Sequence, residues 1–356
     1  MIPASMLAVR HHAPGDLRVE RVPVPEIGSQ DALLKVGAVG ICATDQKIAA
    51  RGHFKILSGS AARTLGHEVA GTIVAVGEEV SRLALGTRVA VVPNLGCGHC
   101  PDCVAGDMHL CPDYDAIGIT IDGGMAEYLR LPARALAAGN ALVLPPDLPY
   151  HHATLLEPLA CCYNSLAACH LKPGGSLLVV GAGPMGLMHV ALGKAFGAAP
   201  IIVSDIQEPR LALARALGAD VVIDARRESV AQRVRELTGG RGISAVVVAV
   251  GSAEAQAEAP EWTARKGTVN FFASLPSGQD AVPVPANRIH YQQLAITGTT
   301  GANVTHFRHT LSLVSTGRVE VAALVTGRYP LAEALPAFAQ GRLPEHARVV
   351  LEPEEG

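Results

Sequence analysis

Four cysteines lie close together in the stretch CGHCPDCVAGDMHLC at residues 97–111. Their spacing, C-x2-C-x2-C-x7-C, can bring four thiolates into one closed tetrahedral site, the arrangement that Zn²⁺ takes at structural sites. Two disulfide bonds are the alternative for the same residues. A closed site leaves no position for a substrate, so we expect it to hold a loop rather than to do chemistry. Its predicted ligands are Cys97, Cys100, Cys103 and Cys111.

A second set of metal-binding residue types is spread along the chain. Cys42 follows an apolar stretch in GICATDQK, and His67 and Glu68 lie together in TLGHEVAG. Glu157 lies in LLEPLAC. Three zinc ligands of these types would leave a fourth position open, and an open zinc is a Lewis acid that makes an alcohol hydroxyl more acidic. Each residue alone has an ordinary structural explanation, but their combination favours a reactive metal site.

A glycine-rich motif, VVGAGPMG, follows the apolar run LLVV and precedes a stretch with helical character. Gly181, Gly183 and Gly186 would let the backbone turn tightly and approach a pyrophosphate, while the helix that Pro184 and Met185 begin would present free N–H groups to that anion. A plain tight turn is the alternative. The strand–turn–helix context favours a dinucleotide site.

An acidic residue, Asp205, ends the next predicted strand, 24 residues after Gly181. A carboxylate at this place accepts hydrogen bonds from ribose hydroxyls and repels a 2′-phosphate, which favours NAD over NADP. Arg210 could stack on adenine or pair with a phosphate. Alternatively, it is a solvated helix residue that pairs with Glu208 or with nothing.

The elements that must position these residues fall into three segments. Residues 1–152 carry short apolar runs interrupted by Gly and Pro, which indicates an antiparallel, barrel-like domain. Residues 153–295 alternate between strand and helix patterns, which is typical of a doubly wound parallel sheet. In residues 296–356 we predict one helix, THFRHTLSLVSTG, and a short strand, AALVT, in a tail that returns to the first domain.

Composition excludes several classes of function. A chain of 356 residues is long enough for two domains, and a net charge of −3 argues against nucleic acid or an anionic membrane as partner. No apolar run approaches the ~20 residues of a membrane helix, and the first residues do not resemble a signal peptide. We therefore expect reduced cysteines and a cytoplasmic location.

Taken together, these motifs resemble the zinc-containing medium-chain dehydrogenase/reductase family. The resemblance implies an α/β protein with a GroES-like β-barrel catalytic domain and a Rossmann doubly wound parallel sheet. It also implies one catalytic zinc, one structural zinc and NAD. The residues that carry it are GICATD (40–45), GHEVAG (66–71), the four clustered cysteines, EPLA (157–160), GAGPMG (181–186) and Asp205.

Glu157 distinguishes branches of this family. Its alcohol dehydrogenases carry a cysteine at the matching place, whereas EPL is similar to the sorbitol and threonine dehydrogenase branches. Those branches imply that Cys42, His67 and a glutamate hold the catalytic zinc, with Glu68 and Glu157 both open as the third ligand. Thr44 matches the family's proton-relay hydroxyl, and Lys47 stands where the alcohol dehydrogenases often have a histidine.

The resemblance also implies which residues lie near the nicotinamide. They are Val250, Gly251, Phe272, Ala273, Ser274, Thr299 and Thr300. His53 and Phe54 lie in a loop that could line the substrate pocket or simply be a surface loop.

The leading functional hypothesis is hydride transfer between a small secondary alcohol, a polyol or sugar alcohol, and NAD. L-Threonine or another amino alcohol is the second candidate substrate. A non-catalytic dinucleotide-binding sensor or structural protein on the same fold is the alternative from another class. We expect a homodimer or homotetramer.

Overall fold

The computed structural model describes residues 1–52, 61–279 and 281–354. The chain forms two compact units. The mixed-sheet unit comprises Met1–Glu157, Ala302–Ser315 and Val325–Gly356, and the parallel-sheet unit comprises Pro158–Gly301 and Thr316–Leu324. No helix in the described ranges is both long and apolar enough to cross a membrane.

The strands are, in chain order, β1 (Ser5–Ala13), β2 (Asp16–Pro23), β3 (Ala32–Gly40), β4 (Arg63–Thr64), β5 (Glu68–Val76), β6 (Arg88–Val91), β7 (Asn94–Leu95), β8 (Asp115–Ala116), β9 (Tyr128–Leu131), β10 (Ala141–Val143), β11 (Leu177–Val180), β12 (Ile201–Asp205), β13 (Val221–Asp224), β14 (Ile243–Val248), β15 (Thr263–Phe271), β16 (Ala295–Gly298), β17 (Val325–Pro330) and β18 (Arg348–Glu352).

The helices are α1 (Ala43–Arg51), α2 (Pro101–Val104), α3 (Ala133–Ala137), α4 (Tyr150–Ala153), α5 (Leu156–Ala168), α6 (Pro184–Ala195), α7 (Glu208–Ala216), α8 (Val230–Thr238), α9 (Ala253–Trp262), α10 (Ala286–Gln292), α11 (Val304–Ser315) and α12 (Ala334–Gln340).

The mixed-sheet unit is built on a seven-stranded sheet in the order β10-β6-β5-β3-β18-β17, with β9 also paired to β3. β3 runs antiparallel to β5 and β18, whereas β17 and β18 are parallel. β3 is buried along most of its length because it has neighbours on both edges and core on its faces. A smaller sheet, β2-β1-β4, covers the same core, which includes Val9, Leu34, Ile73 and Val349.

The parallel-sheet unit contains six strands in the order β13-β12-β11-β14-β15-β16. All neighbouring strands are parallel, and the central ones are continuous apolar runs such as Leu177–Val180 because helices cover both faces. The chain builds outward from β11 to β13 and then returns to start β14 on the other side of β11. This reversal between β11 and β14 is the point where doubly wound sheets bind ligands at their carboxyl edge.

The structure corrects the prediction for the end of the chain. We predicted a strand at AALVT, but residues Ala322–Leu324 form a short 3-10 helix, in which the Leu324 N–H bonds the Val321 carbonyl at 3.0 Å. The strand starts only at Val325, where the chain comes into register with Arg348 of β18. The sequence analysis also missed α12 and β18.

A turn follows the end of β14, which stops at Val248. The Val248 carbonyl accepts the N–H groups of Phe272 and Ala273, and the Ser252 N–H bonds the Val250 carbonyl, which turns the chain into α9. Val250 and Gly251 thus lie in the turn beyond the strand.

Candidate functional site

The four clustered cysteines converge in the mixed-sheet unit. Their sulfur atoms all lie within 4.8 Å of one another, so they form one group of four rather than two separate pairs. Cys100 begins α2, and its sulfur accepts the Cys103 N–H at 3.4 Å. The Cys97 sulfur accepts the Cys100 N–H at 3.3 Å in the same way. None of the cysteines in the described residues forms a disulfide.

The electrostatics of this group favour a cation. N–H groups of His99 and Cys100 lower the pKa of the Cys97 thiol to about 6. Burial, together with the three neighbouring sulfurs, raises the pKa of Cys103 to about 12, because a second negative charge is opposed there. A divalent ion would offset that repulsion, and four sulfur donors are a set that zinc prefers.

Arg134, which the sequence analysis missed, anchors the loop that carries the cysteines. Its guanidinium donates to the backbone carbonyls of Leu95, Gly96 and Asp113, and it lies 3.2 Å from the Asp115 carboxylate. No local motif reveals this role, because Arg134 lies on α3, beyond the loop in sequence.

A second donor group forms where β3 and β5 meet. Ligand atoms of Cys42, His67 and Glu68 lie within 4.8 Å of one another. Cys42 is the N-cap of α1, directly after β3, and Glu68 is the first residue of β5, opposite Gly40. A Cβ atom at Gly40 would lie only 2.2 Å from Glu68 Oε2, so this glycine makes room for the carboxylate.

Asp45 orients this group, although the sequence analysis did not single it out. Its fully buried carboxylate accepts the N–H groups of Cys42 at 2.9 Å and Gly66 at 3.2 Å. It also lies 3.5 Å from Nδ1 of His67, an ion-pair distance. Burial lowers the pKa of His67, but Asp45 and Cys42 outweigh it and raise that pKa well above its usual value. The signal for Asp45 is its position at N3 of α1, three residues after the cap.

Arg348 is another residue that the sequence analysis missed. It lies on β18, is buried, and donates through Nη2 to Glu68. Burial opposes its charge, yet Glu68, Cys42 and Glu157 together raise the pKa of Arg348. No sequence signal connects it with Glu68, because 280 residues separate the two.

The remaining predicted residues lie near this group in different ways. Thr44 is the second residue of α1 and half-buried, and Lys47 is exposed one turn further on. Glu157 is half-buried in the first turn of α5, and its negative charge helps to raise the pKa of Arg348. Among the described residues, Glu157 is not one of the three whose ligand atoms meet within 4.8 Å. His53 and Phe54 lie outside the described residues.

The glycine motif forms a turn at the carboxyl end of β11 in the parallel-sheet unit. Gly181 has φ of +99°, which an L side chain rarely adopts. A Cβ atom at Gly186 would lie 1.8 Å from the Gly181 carbonyl oxygen, so α6 can pack this closely only with glycine there. Gly183, the N-cap of α6, has open space in front of it. The space in front of a helix N-terminus suits a pyrophosphate.

A cavity of about 510 Å³ continues from this turn along the edge of the sheet. Asp205 lines it, with its carboxylate oxygens accepting the N–H groups of Ala182 at 2.6 Å and Gln207 at 2.8 Å. Each oxygen can accept further hydrogen bonds, so ribose hydroxyls could still bind. Other residues around the cavity are Gly181, Arg210, Glu228, Val250, Glu254 and Trp262.

Arg210 faces this cavity and does not pair with Glu208. Glu208 instead binds Arg215 at 2.7 Å, which corrects the pairing that we considered from the sequence. The Nε atom of Arg210 is buried and has no hydrogen-bond partner in the described part of the chain.

The residues predicted to border the nicotinamide all follow strands on the far side of the switch point. Phe272, Ala273 and Ser274 come directly after β15, and Thr299 and Thr300 directly after β16. The Phe272 ring meets His189 of α6 edge-on, with ring centroids 4.7 Å apart. Parallel strands share one carboxyl edge, so these residues lie along the same edge as the glycine turn.

Comparison with known proteins gives two matches to family models. The alcohol dehydrogenase GroES-like domain matches residues 28–141, and the zinc-binding dehydrogenase domain matches residues 184–316.

Individual proteins are similar over almost the whole chain. Sorbitol dehydrogenase of Bacillus subtilis (strain 168) is 32% identical over 338 residues, which cover 95% of this chain and 94% of that protein. L-Threonine 3-dehydrogenase of Chelativorans sp. (strain BNC1) is 30% identical over 336 residues, or 94% and 95% of the two chains. The crystal structure of a zinc-binding dehydrogenase from Sinorhizobium meliloti 1021, bound to NADP, superposes with a TM-score of 0.89 at 32% identity. The match covers 99% of this chain and 100% of that chain.

The two donor groups predict a metal content of about two zinc ions per chain. Replacing a cysteine of the four-sulfur group (Cys100→Ser) should remove about one zinc and lower the melting temperature, because that metal holds a loop. His67→Ala should remove the other zinc with a smaller thermal effect. Metal analysis with melting curves tests this, and Cys161→Ser, outside both groups, should change neither value. One zinc or none per chain in fresh, active protein would contradict the assignment.

Two glycines of the turn should affect thermal stability and NAD affinity differently. Gly183→Ala should leave the melting temperature unchanged, since its φ is −65° and nothing lies within 4 Å of the added methyl group. It should nevertheless weaken NAD binding by filling the approach of the pyrophosphate. Gly186→Ala should lower both stability and binding, because its methyl group meets the Gly181 carbonyl. Calorimetric titration beside thermal melting distinguishes the two, and equal NAD affinity in Gly183→Ala would place the pyrophosphate elsewhere.

Proposed function

The chain belongs to the zinc-containing medium-chain dehydrogenase/reductase family, in a sorbitol and threonine dehydrogenase-like branch, and within this oxidoreductase chemistry we propose that it oxidises a secondary alcohol of the polyol class with NAD. The observation that carries the proposal is the convergence of a thiol, an imidazole and a carboxylate in Cys42, His67 and Glu68. The same chain carries a dinucleotide turn in which the local backbone requires glycine at Gly181 and Gly186. The alternative of a non-catalytic protein gains no support, since both features of the reactive chemistry are present.

We propose the following roles for the residues of the site. Cys42 and His67 would hold the metal together with a glutamate, either Glu68 or Glu157. When bound, zinc supplies Lewis acidity that makes a substrate hydroxyl more acidic, and NAD supplies the hydride acceptor. Asp45 holds Cys42 and the His67 ring in place through buried hydrogen-bonding and ion-pair contacts. The Thr44 hydroxyl, which can accept and donate at once, would relay the proton that the substrate loses toward the cofactor ribose.

The choice of substrate class rests on the glutamate. A carboxylate next to the metal site adds an acceptor for a second hydroxyl or an ammonium group beside the reacting carbon. Both sorbitol and L-threonine carry such a neighbouring polar group, and both names occur among the relatives. We therefore keep L-threonine as the second candidate.

We also propose a homodimer or homotetramer in the cytoplasm. β16 is the edge strand of the six-stranded sheet and is partly exposed, so its free edge could pair with a second copy. A four-cysteine zinc group requires reduced thiols, which fits a reducing compartment.

A substrate panel tests the proposed function. Vicinal polyols such as sorbitol should be oxidised with higher kcat/KM than ethanol, and L-threonine is the competing candidate. Sorbitol and L-threonine, unlike ethanol, offer a second polar group to the glutamate. NADH absorbance measures each rate. If ethanol is the best substrate, the proposed role of the glutamate is wrong.

Variants of Thr44 provide the control for this panel. Thr44→Val keeps the shape but removes the hydroxyl that relays the proton, so kcat should fall by at least about 100-fold, while Thr44→Ser stays active. Both proteins should bind NADH as the wild type does.

Cofactor preference is a separate test, because the relative from Sinorhizobium meliloti was solved with NADP. We expect wild-type protein to prefer NAD, since the Asp205 carboxylate lines the cavity and would repel a 2′-phosphate. Asp205→Ser should narrow the preference at least about tenfold, which corresponds to ~1.4 kcal/mol. Asp224→Ser, which removes the carboxylate at the end of the neighbouring strand β13, should leave the kcat/KM ratio of NAD to NADP unchanged. A wild-type preference for NADP would refute this role for Asp205.

A further inference from the structure

We propose that Asn270 is a positioning residue that fixes segment 298–301 against the nicotinamide end of the cofactor. This inference rests on the proposed function, because it requires a dinucleotide to bind at the carboxyl edge of the parallel sheet. Neither the glycine motif nor any metal-binding pattern points to Asn270. It is identified by its hydrogen bonds and its burial.

The placement follows from the topology of the sheet. The glycine turn follows β11 and Asp205 ends β12, so this side of the switch point takes the adenosine half. The other half of the dinucleotide must then cross toward the ends of β14, β15 and β16. Segment 298–301 begins with the last residue of β16 and lies at that edge.

Two hydrogen bonds from buried or half-buried side chains hold this segment in place. The Thr299 hydroxyl donates to Oδ1 of Asn270 at 3.2 Å, and the Gly301 carbonyl accepts from Asn164 at 3.1 Å. Oδ1 of Asn270 also accepts the hydroxyl of Ser165 at 2.9 Å. Asn164 and Ser165 are neighbours on α5, so one helix and one strand together fix the segment.

The burial of Asn270 argues against a merely structural role. Asn270 and Ser165 are both fully buried, and Nδ2 of Asn270 has no partner in the described part of the chain. Turning the amide round would leave Oδ1 without a partner instead. A buried polar group without a partner destabilises the fold, and an apolar residue would avoid that cost.

The arrangement therefore makes a specific assignment. Thr299 is half-exposed at the carboxyl edge of the sheet, and its hydroxyl donates a hydrogen bond to the buried Asn270. Loss of that bond would free the segment to move without disturbing the cavity on the adenosine side. Asn270 would then affect the affinity for the nicotinamide half of the cofactor and not that for the adenosine half.

Binding of two ligands to the intact protein tests this assignment. NADH spans both halves of the site, whereas ADP-ribose lacks the nicotinamide. Asn270→Leu and Thr299→Val should weaken NADH binding about fivefold, as expected for the loss of a neutral hydrogen bond, while ADP-ribose binds as in the wild type. Calorimetric titration gives both dissociation constants without turnover.

Matched variants separate positioning from general stability. Thr299→Ser keeps the hydroxyl and should restore wild-type NADH affinity. Ser165→Ala keeps the bond between Asn270 and Thr299 and should weaken NADH binding less than Thr299→Val. If Asn270→Leu does not fold, Thr299→Val decides, because Thr299 lies at the surface of the unit.

Two results would overturn the inference. An unchanged ratio of NADH to ADP-ribose affinity in Thr299→Val would mean that the bond has no role in binding. Equal weakening of both ligands would mean that it only supports the fold. Failure of the wild type to bind either ligand would instead refute the proposed function itself, and the inference with it.

Discussion

The buried ion pair between Glu68 and Arg348 is the interaction on which the candidate metal group depends. Both side chains are almost completely buried, and leaving one of them without its partner would cost about 3–5 kcal/mol. Glu68 starts β5 and Arg348 starts β18, and β3 lies between these strands in the sheet. The donor group can therefore form only when the last strand of the chain has joined the first part of it. Gly40 on β3 completes the arrangement by leaving space for the carboxylate.

The four-cysteine group of the same unit is held in place differently. There the donors come from one short loop, and what the fold must supply is a fixed backbone around them. Arg134 does this through bonds to three carbonyls, and N–H groups point at the sulfurs. One donor group is thus assembled from distant strands around a buried charge pair, and the other from a local loop held at its ends.

These differences explain what could be predicted from the sequence. The cysteine spacing, the glycine turn and the alternation of strands and helices are local patterns, and they predict the fold class and the cofactors. Arg348, Asn270 and Arg134 act through partners far away in the chain, so no spacing reveals them. Asp45 was within reach, because it sits at a helix start next to Cys42. The strand expected at AALVT begins only at Val325, because Ala322–Leu324 form a 3-10 helix in which Leu324 is buried.

The parallel sheet has two faces of different character. Between α8, α9 and the strands the core is apolar, with Ile202, Val246 and Trp262 among its members. The face toward α5 and α6 carries the buried polar groups of Ser165, His189 and Asn270. The buried polar groups thus lie on the face from which Asn164 and Asn270 hold segment 298–301.

Trp262, which lines the cavity beside Asp205, is the only tryptophan of the chain. Its indole emission therefore arises wholly from the parallel-sheet unit, and the mixed-sheet unit is silent at that wavelength. Optical unfolding curves followed by tryptophan and by a whole-chain signal such as circular dichroism would thus report on different portions of the molecule. The protein therefore carries its own fluorescent probe, which shows without any added label whether the parallel-sheet unit unfolds together with the rest of the chain.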